Sequence, residues 1–263
     1  MTRGRRWTLA LVALVLTASG QAVVPANAAA APTDGSAADS RAVAGKGAVV
    51  ERRVIGHSVR GRPITAWRLG VKGKRRVVLI STMHGNERRT REILAALRDG
   101  RPIKGVDLWV IPQYNPDGYA ANTRKNARGV DLNRNFPYRW APLTGATHSG
   151  PKPASEPETR AVMRFLRKVR PKRIASFHQP LYGVDTDTKN PKYARRLARK
   201  LKLPRKTFNC GGVCHGTMTG WFNHNFDGAA VTVEYGAAPS RHRMQQQAPR
   251  QVLRVFGARR VAR

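Results

Sequence analysis

Three apolar runs of strand length, residues 77–80, 174–177 and 229–233, each lead into a side chain that can bind a metal or move a proton. The first leads to His84 and Glu87, the second to His178 and the third to Glu234. Short continuous apolar runs are buried strands, and open α/β sheets bind ligands beyond the carboxyl ends of their strands. The runs therefore constrain the chain to a sheet whose carboxyl edge gathers these four residues. The intervening segments agree. Residues 87–98 place Ile93, Leu94 and Leu97 on one helical face, and a strand at 106–111 follows, so strand, helix and strand form a parallel unit. Residues 49–55 and 64–69 read as a hairpin around the turn-forming stretch 56–63. The expected fold is a single α/β domain: a mixed, mostly parallel twisted sheet with helices on both faces.

Further helices have their own signals. Ser155-Glu156-Pro157-Glu158 reads as a capping box opening a helix with the stripe Ala161, Val162, Phe165, Leu166 and Val169, which Pro171 ends. Asn190-Pro191 opens another, carrying Tyr193, Leu197 and Leu201, and residues 240–253 form a closing helix that Pro249 interrupts.

Two imidazoles and a carboxylate fill three corners of a zinc tetrahedron and leave the fourth for water, whereas structural zinc sites close all four. Zinc brings the pKa of that water to about 7 and polarises a carbonyl, and the second carboxylate can act as general base. A lone His-x-x-Glu recurs by accident, but here it heads an ordered set. His84-Gly-Asn-Glu87, Asn115-Pro-Asp-Gly118, Thr123-Arg-Lys-Asn126, Gly129-Val-Asp-Leu-Asn-Arg-Asn-Phe136, Ser155-Glu-Pro-Glu-Thr-Arg160, Phe177-His-Gln179 and Val233-Glu-Tyr235 follow one another. The set resembles the zinc carboxypeptidases of the carboxypeptidase A superfamily over about residues 49–236.

That resemblance implies that His84, Glu87 and His178 bind one zinc ion, that Glu234 is the base that later passes its proton to the leaving amine, and that Arg124 stabilises the oxyanion. It also implies that Asn133 and Arg134 grip a free carboxylate on the leaving residue, which suits a planar guanidinium with two parallel donors. Residues 126–137 and Ser176-Phe-His-Gln-Pro180 look closest to the bacterial murein peptide amidases, which implies cleavage between γ-D-glutamate and diaminopimelate in peptidoglycan stem peptides. One departure stands out. An ungapped count back from Glu234 puts Gly212 where animal digestive members carry a tyrosine donor, and Thr219 and Gly220 in the side-chain pocket. That describes a small polar pocket with no counter-ion for lysine or arginine. His215 and His224 fit a solvated or structural role better than a substrate contact, and His57, His148 and His242 read as surface residues.

Three alternatives stay open: a general carboxypeptidase on α-linked L-peptides, a deacylase like aspartoacylase or succinylglutamate desuccinylase, and a non-enzymatic cationic wall-binding protein. The deacylases share His-Gly-Asn-Glu but lack the phrases at 115–118 and 155–160. The wall-binding reading has to explain why every ligand and the base are present.

The formal charge is +34, from 49 Lys and Arg against 15 Asp and Glu. Such a chain adheres to polyanions such as anionic cell-wall polymers, although a general arginine bias would give the same total. With no phosphate loop or finger spacing and its basic residues dispersed, it is not expected to recognise a specific nucleic acid. Arg88, Arg89 and Arg91 oppose the dipole of the helix they open, a conflict that points to attraction of acidic peptides. Arg3, Arg5 and Arg6, the apolar run 7–18 and the small-residue site ending at Ala28 read as a removable signal peptide. An ordinary positive leader fits better than a twin-arginine one, and a mature form without a membrane anchor is expected. The resulting organisation is signal peptide 1–28, flexible linker 29–48 and catalytic domain 49–263, in a secreted, extracellular or wall-associated protein. In that setting Cys210 and Cys214 are expected to form a local disulfide.

Overall fold

The computed structural model describes residues 47–262 apart from residue 209. The expected signal peptide, and all but the last two residues of the expected linker, lie outside the described residues. The strands are β1 (Val49–His57), β2 (Pro63–Gly70), β3 (Arg76–Ser81), β4 (Ile103–Lys104), β5 (Asp107–Ile111), β6 (Arg173–His178), β7 (Gly183–Asp185), β8 (Arg205–Lys206), β9 (Ala229–Glu234) and β10 (Arg259–Arg260). The helices are α1 (Arg88–Arg98), α2 (Pro116–Ala121), α3 (Pro157–Val169), α4 (Pro191–Leu201), α5 (Met218–Asn225) and α6 (Ala248–Val255).

Eight strands form one sheet in the order β1, β2, β5, β3, β6, β9, β7, β8, while β4 and β10 pair separately. The expected hairpin is β1 and β2, turned by Gly61 at φ +74°. The four strands β5, β3, β6 and β9 run parallel, and β7 returns antiparallel beside β9. The central strands are buried along both faces, so they read as continuous apolar runs in the sequence. One face packs against Ile93, Leu94 and Leu97 of α1, Leu197 and Leu201 of α4 and Val252 of α6. The other packs against the α3 stripe and Trp221 and Phe222 of α5. This is the mixed, mostly parallel sheet with helices on both faces that the periodicity predicts. Among the described residues no helix is long and apolar enough to cross a membrane.

Two expectations are corrected. The capping box does not form: Glu156 is the N-cap of α3 but makes no cap hydrogen bond with its side chain. Ser155, Glu156 and Glu158 bind loops instead, because buried tertiary donors compete for their oxygens. Asn126 Nδ2 donates to Glu156 Oε2 at 2.7 Å and Glu158 Oε2 at 3.1 Å, and Val59 N donates to Glu158 Oε1 at 3.1 Å. The closing helix is not broken by Pro249. A π-helical turn, Arg243–Gln247, runs directly into α6, and Pro249, the second residue of α6, follows this widened turn, so the helix continues through the proline with its α pattern altered just before it.

Candidate active site

β3, β6 and β9 lie side by side, with Ser81 level with Phe177 and His178 level with Glu234, so their carboxyl ends open onto one edge. His178 and Glu234 are the last residues of their strands, and His84 follows β3 by three residues. The loop carrying His84 and Glu87 is held by backbone contact. A Cβ on Gly85 would lie 2.0 Å from the Gly118 carbonyl carbon and 2.3 Å from Tyr119 N, so only glycine lets this loop touch the backbone of α2. Asn115 caps α2 by accepting from Gly118 N at 2.9 Å, and its Nδ2 donates to Met83 O at 3.3 Å, joining the His84 loop to the segment that carries Arg124.

His84, Glu87 and His178 are buried, and their donor atoms lie within 4.8 Å of one another. Behind each ring the Nε2 is engaged: that of His84 with Asp131 Oδ1 at 3.1 Å, that of His178 with Ser176 Oγ at 2.8 Å. Both Nδ1 atoms therefore turn inward. They face each other at 3.4 Å, with Glu87 Oε1 at 2.6 Å from His84 Nδ1 and Oε2 at 3.0 Å from His178 Nδ1. Glu87 Oε2 nevertheless has no hydrogen bond of acceptable geometry. Two imidazole nitrogens and a buried carboxylate pointing at one spot need a cation there, and partners fixing the outer nitrogens are characteristic of metal histidines. The set fits zinc with an open fourth position. Burial resists charge on both groups, but the pairing prevails: Glu87 and Asp131 hold His84 up at about 9, and the two histidines hold Glu87 down at about 2.

Beside this group lies a cavity of about 870 Å³ lined by every expected site residue: His84, Glu87, Arg124, Asn133, Arg134, His178, Thr219 and Glu234. Burial above all, with the charge of Glu87, raises Glu234 to about 7 against the opposing pull of His178 and His84, and its Oε2 has no hydrogen-bond partner. Arg124 is aimed by Asp131, whose Oδ2 accepts from Nε at 3.0 Å and Nη2 at 2.8 Å, leaving Nη1 at 3.3 Å from His84 Nδ1. Asn133 Oδ1 accepts from Met218 N at 3.1 Å, which frees the amide to donate. Arg134 Nη1 donates to Asn133 O at 2.8 Å.

Cys210 and Cys214 form the expected disulfide, and their loop contributes Gly212 and Val213 to the rim. Gly212 sits at φ +144° with nothing within 4 Å of where a Cβ would be, and it brings no side-chain donor of its own. His224 lines the cavity with its ring stacked on Tyr138 at 4.2 Å, whereas His215 lies outside the lining and bonds Arg139 O through Nδ1 at 2.8 Å. Arg88, Arg89 and Arg91 also lie outside it. With Arg241 they border a separate cleft, where Arg88 lies 4.0 Å above the Tyr119 ring and Arg89 pairs with Glu92 at 2.8 Å.

The sequence reading missed three residues of the site. Asp131 is visible in Gly129-Val-Asp-Leu-Asn-Arg-Asn-Phe136, but nothing local assigns it to His84, 47 residues away. Ser176 lies two residues before His178 on one strand face, a spacing that does signal contact. Asp185 lines the cavity from β7, a carboxylate that the count from Glu234 does not reach because that count follows one segment and Asp185 arrives on another.

Residues 41–182 match the zinc carboxypeptidase family. The chain is 31% identical over 181 residues to murein peptide amidase A of Escherichia coli K12, covering 63% of this chain and 74% of that protein. It is also 31% identical over 169 residues to the carboxypeptidase N catalytic chain of Rattus norvegicus, covering 51% and 36%. The solved murein-tripeptide amidase of Escherichia coli O157 superposes with TM-score 0.66 at 25% identity, over 78% of this chain and 91% of that one. The carboxypeptidase A of Helicoverpa armigera shares the fold at TM-score 0.67 and 18% identity, over 80% and 68%. With the family match, the ligand set and the fold in agreement, this chain belongs to the zinc carboxypeptidase family and is a zinc-dependent hydrolase.

Proposed function

We propose that the protein hydrolyses the amide bond on the amino side of a residue with a free carboxylate, acting on peptidoglycan stem peptides between γ-D-glutamate and diaminopimelate. The observation that carries this reading is one cavity that holds a metal-ligand set, a buried carboxylate with one oxygen free of hydrogen bonds and an Asn and Arg pair with free donors. The similarity to murein peptide amidase A supports the peptidoglycan substrate.

His84, Glu87 and His178 would hold one zinc ion. When bound, the metal supplies Lewis acidity that polarises the scissile carbonyl and acidifies water in contact with it. Asn133 and Arg134 orient the substrate by its terminal carboxylate, through charge-assisted bonds from donors not consumed within the protein. Glu234 takes the proton of the attacking water as the carbon to oxygen bond forms, then delivers it to the amine nitrogen as the carbon to nitrogen bond breaks. Burial raises this carboxyl above the usual carboxylate range in the metal-free protein, which favours its holding the proton between the two halves of that transfer. Arg124 points Nη1 at the ligand group, where negative charge develops on the carbonyl oxygen. Residues 1–28 support export toward the wall, and the large basic excess of the rest of the chain supports retention on its anionic polymers.

The test is cleavage of L-Ala-γ-D-Glu-meso-diaminopimelate beside an α-linked L-peptide, with and without a zinc chelator. Chelator-sensitive preference for the γ-linked tripeptide is expected. Preference for the α-linked peptide would replace this reading with a general carboxypeptidase, and inactivity of the zinc-loaded protein on both would refute it.

A further inference from the structure

Asp185 is the anomaly of the cavity. It is 8% exposed, it lines the same space as Glu234 and Arg134, and it belongs to a chain with 49 basic residues. Yet among the described residues no Lys or Arg stands within ion-pair distance of it. The two lysines nearest it in the fold make no ion pair with it. Lys189 also lines the cavity but donates to Phe226 O, and Lys206, level with Asp185 across β7 and β8, is exposed. The carboxylate is instead fixed by backbone: Oδ1 accepts from Asp187 N at 3.0 Å and Phe208 N at 3.3 Å. Buried carboxylates are normally paired, because burial without a partner is costly. Consistent with that cost, burial pushes this carboxyl up to about 6, and the nearby charge of Asp187 adds to the shift against three backbone N–H donors.

Its depth is set by strand register. β7 runs antiparallel to β9 with Gly183 level with Glu234 and Val184 level with Val233. Asp185 therefore lies two residues further into the sheet than the base, roughly 6.6 Å, on the face shared with Gly183. Thr232, two residues before Glu234, lines the cavity as well, so the space is continuous between the two carboxylates. A long unbranched side chain extending from a leaving residue held at Asn133 and Arg134 spans such a distance.

We propose that Asp185 selects a leaving residue with a cationic side chain, accepting its distal ammonium at the inner end of the cavity. Diaminopimelate and lysine belong to this class, and norleucine, a lysine without the ammonium, does not. The proposal rests on the reading that this cavity holds the leaving residue. The test compares kcat/KM for peptides ending in lysine and in norleucine, in both γ-linked and α-linked series, for the wild-type zinc enzyme and for Asp185→Asn. The amide keeps an oxygen for the two backbone donors and removes only the charge. Wild type should prefer the lysine ending by roughly tenfold or more, the range of a hydrogen bond to a charged group, and the preference should collapse in the variant. A purely structural role would lower both substrates together and leave the ratio intact, which overturns the proposal, as does a wild-type ratio within twofold of unity. Should the variant fail to fold, competition of free lysine against norleucine for the wild-type enzyme decides instead, and equal inhibition overturns the proposal. A preference confined to the α-linked series would leave Asp185 in its role and discard the γ-linked substrate, so the two failures are distinguishable.

Discussion

Replacing Asp131 by Asn should weaken zinc binding without unfolding the protein. The buried carboxylate serves four donor atoms of three residues: His84 Nε2 at 3.1 Å, Asn133 N at 2.9 Å and two nitrogens of Arg124 at 3.0 and 2.8 Å. An Asn side chain retains Oδ1 for the first two but turns an NH2 toward the guanidinium, donor against donor. Loss of an outer partner of a metal histidine typically costs ten to a hundredfold in affinity, about 1.4 to 2.8 kcal/mol at about 1.4 kcal/mol per decade. Breaking a fully buried ion pair costs about 3–5 kcal/mol, but the Arg124 side chain is 33% exposed and water takes up part of that charge, so the stability loss should stay below about 3 kcal/mol. Competition with a fluorescent zinc chelator at neutral pH measures the first quantity and urea denaturation of the metal-free protein the second. An Asp131→Asn protein that is folded and binds zinc within threefold of wild type would refute the argument that Asp131 sets the orientation of His84.

Gly85→Ala should destabilise the protein by about 2 kcal/mol or more, because its Cβ would enter the Gly118 backbone and overpacking alone costs about 1–3 kcal/mol; an unchanged urea midpoint would contradict it. Removing the disulfide with Cys210→Ser and Cys214→Ser should lower stability by no more than about 2 kcal/mol, since so short a loop has little closure entropy to lose. The same change should raise KM for substrates with a free carboxylate, because Cys210 Sγ lies 3.5 Å from Arg134 Nη2, and an unaltered KM would detach that loop from substrate binding. Selectivity for lysine over norleucine should rise with pH through about 6 as Asp185 ionises, with Asp187 facing it and Glu234, Lys189 and Lys206 on the neighbouring segments. A selectivity that is flat from well below to well above that pH would exclude Asp185 as the titrating partner.

The parts of the site that were legible in the sequence are those where one segment carries both a structural and a chemical signal. His178 and Glu234 end apolar runs that can only be buried strands, and adjacent parallel strands put their ends together whatever the loops do. Gly85, Asn115 and Gly118 were legible as parts of phrases but not as contacts, since the meeting of Gly85 with Gly118 depends on a loop approaching a helix distant in the sequence. Asp185 was hidden for a related reason. Its strand has three residues, too few for a periodic signal, and the fixed count from Glu234 pointed to Thr219 on α5, which does line the cavity but carries no charge. The reading of a capping box failed because local geometry was judged without the tertiary donors: Asn126 and Val59 take the oxygens that a cap would have used.

The scarcity of acid in this chain sharpens the reading of what acid there is. Asp107, Asp117, Glu51, Glu92 and Asp99 are neutralised by arginines away from the cavity, and Asp131 is neutralised by Arg124 at its edge. In a protein of charge +34, leaving a carboxylate without such a partner requires that arginine be kept out of reach, not merely that none be nearby. Three buried carboxylates bordering one cavity are left that way: Glu87, which faces only histidines, Glu234 and Asp185. Each then depends on a positive species from outside the fold: a metal ion for the first, a mobile proton for the second and, on our proposal, a substrate ammonium for the third. An arginine moved within reach of any one of them would stabilise the fold through the pairing and displace that species. The same physics that makes these sites costly to fold keeps them available for chemistry.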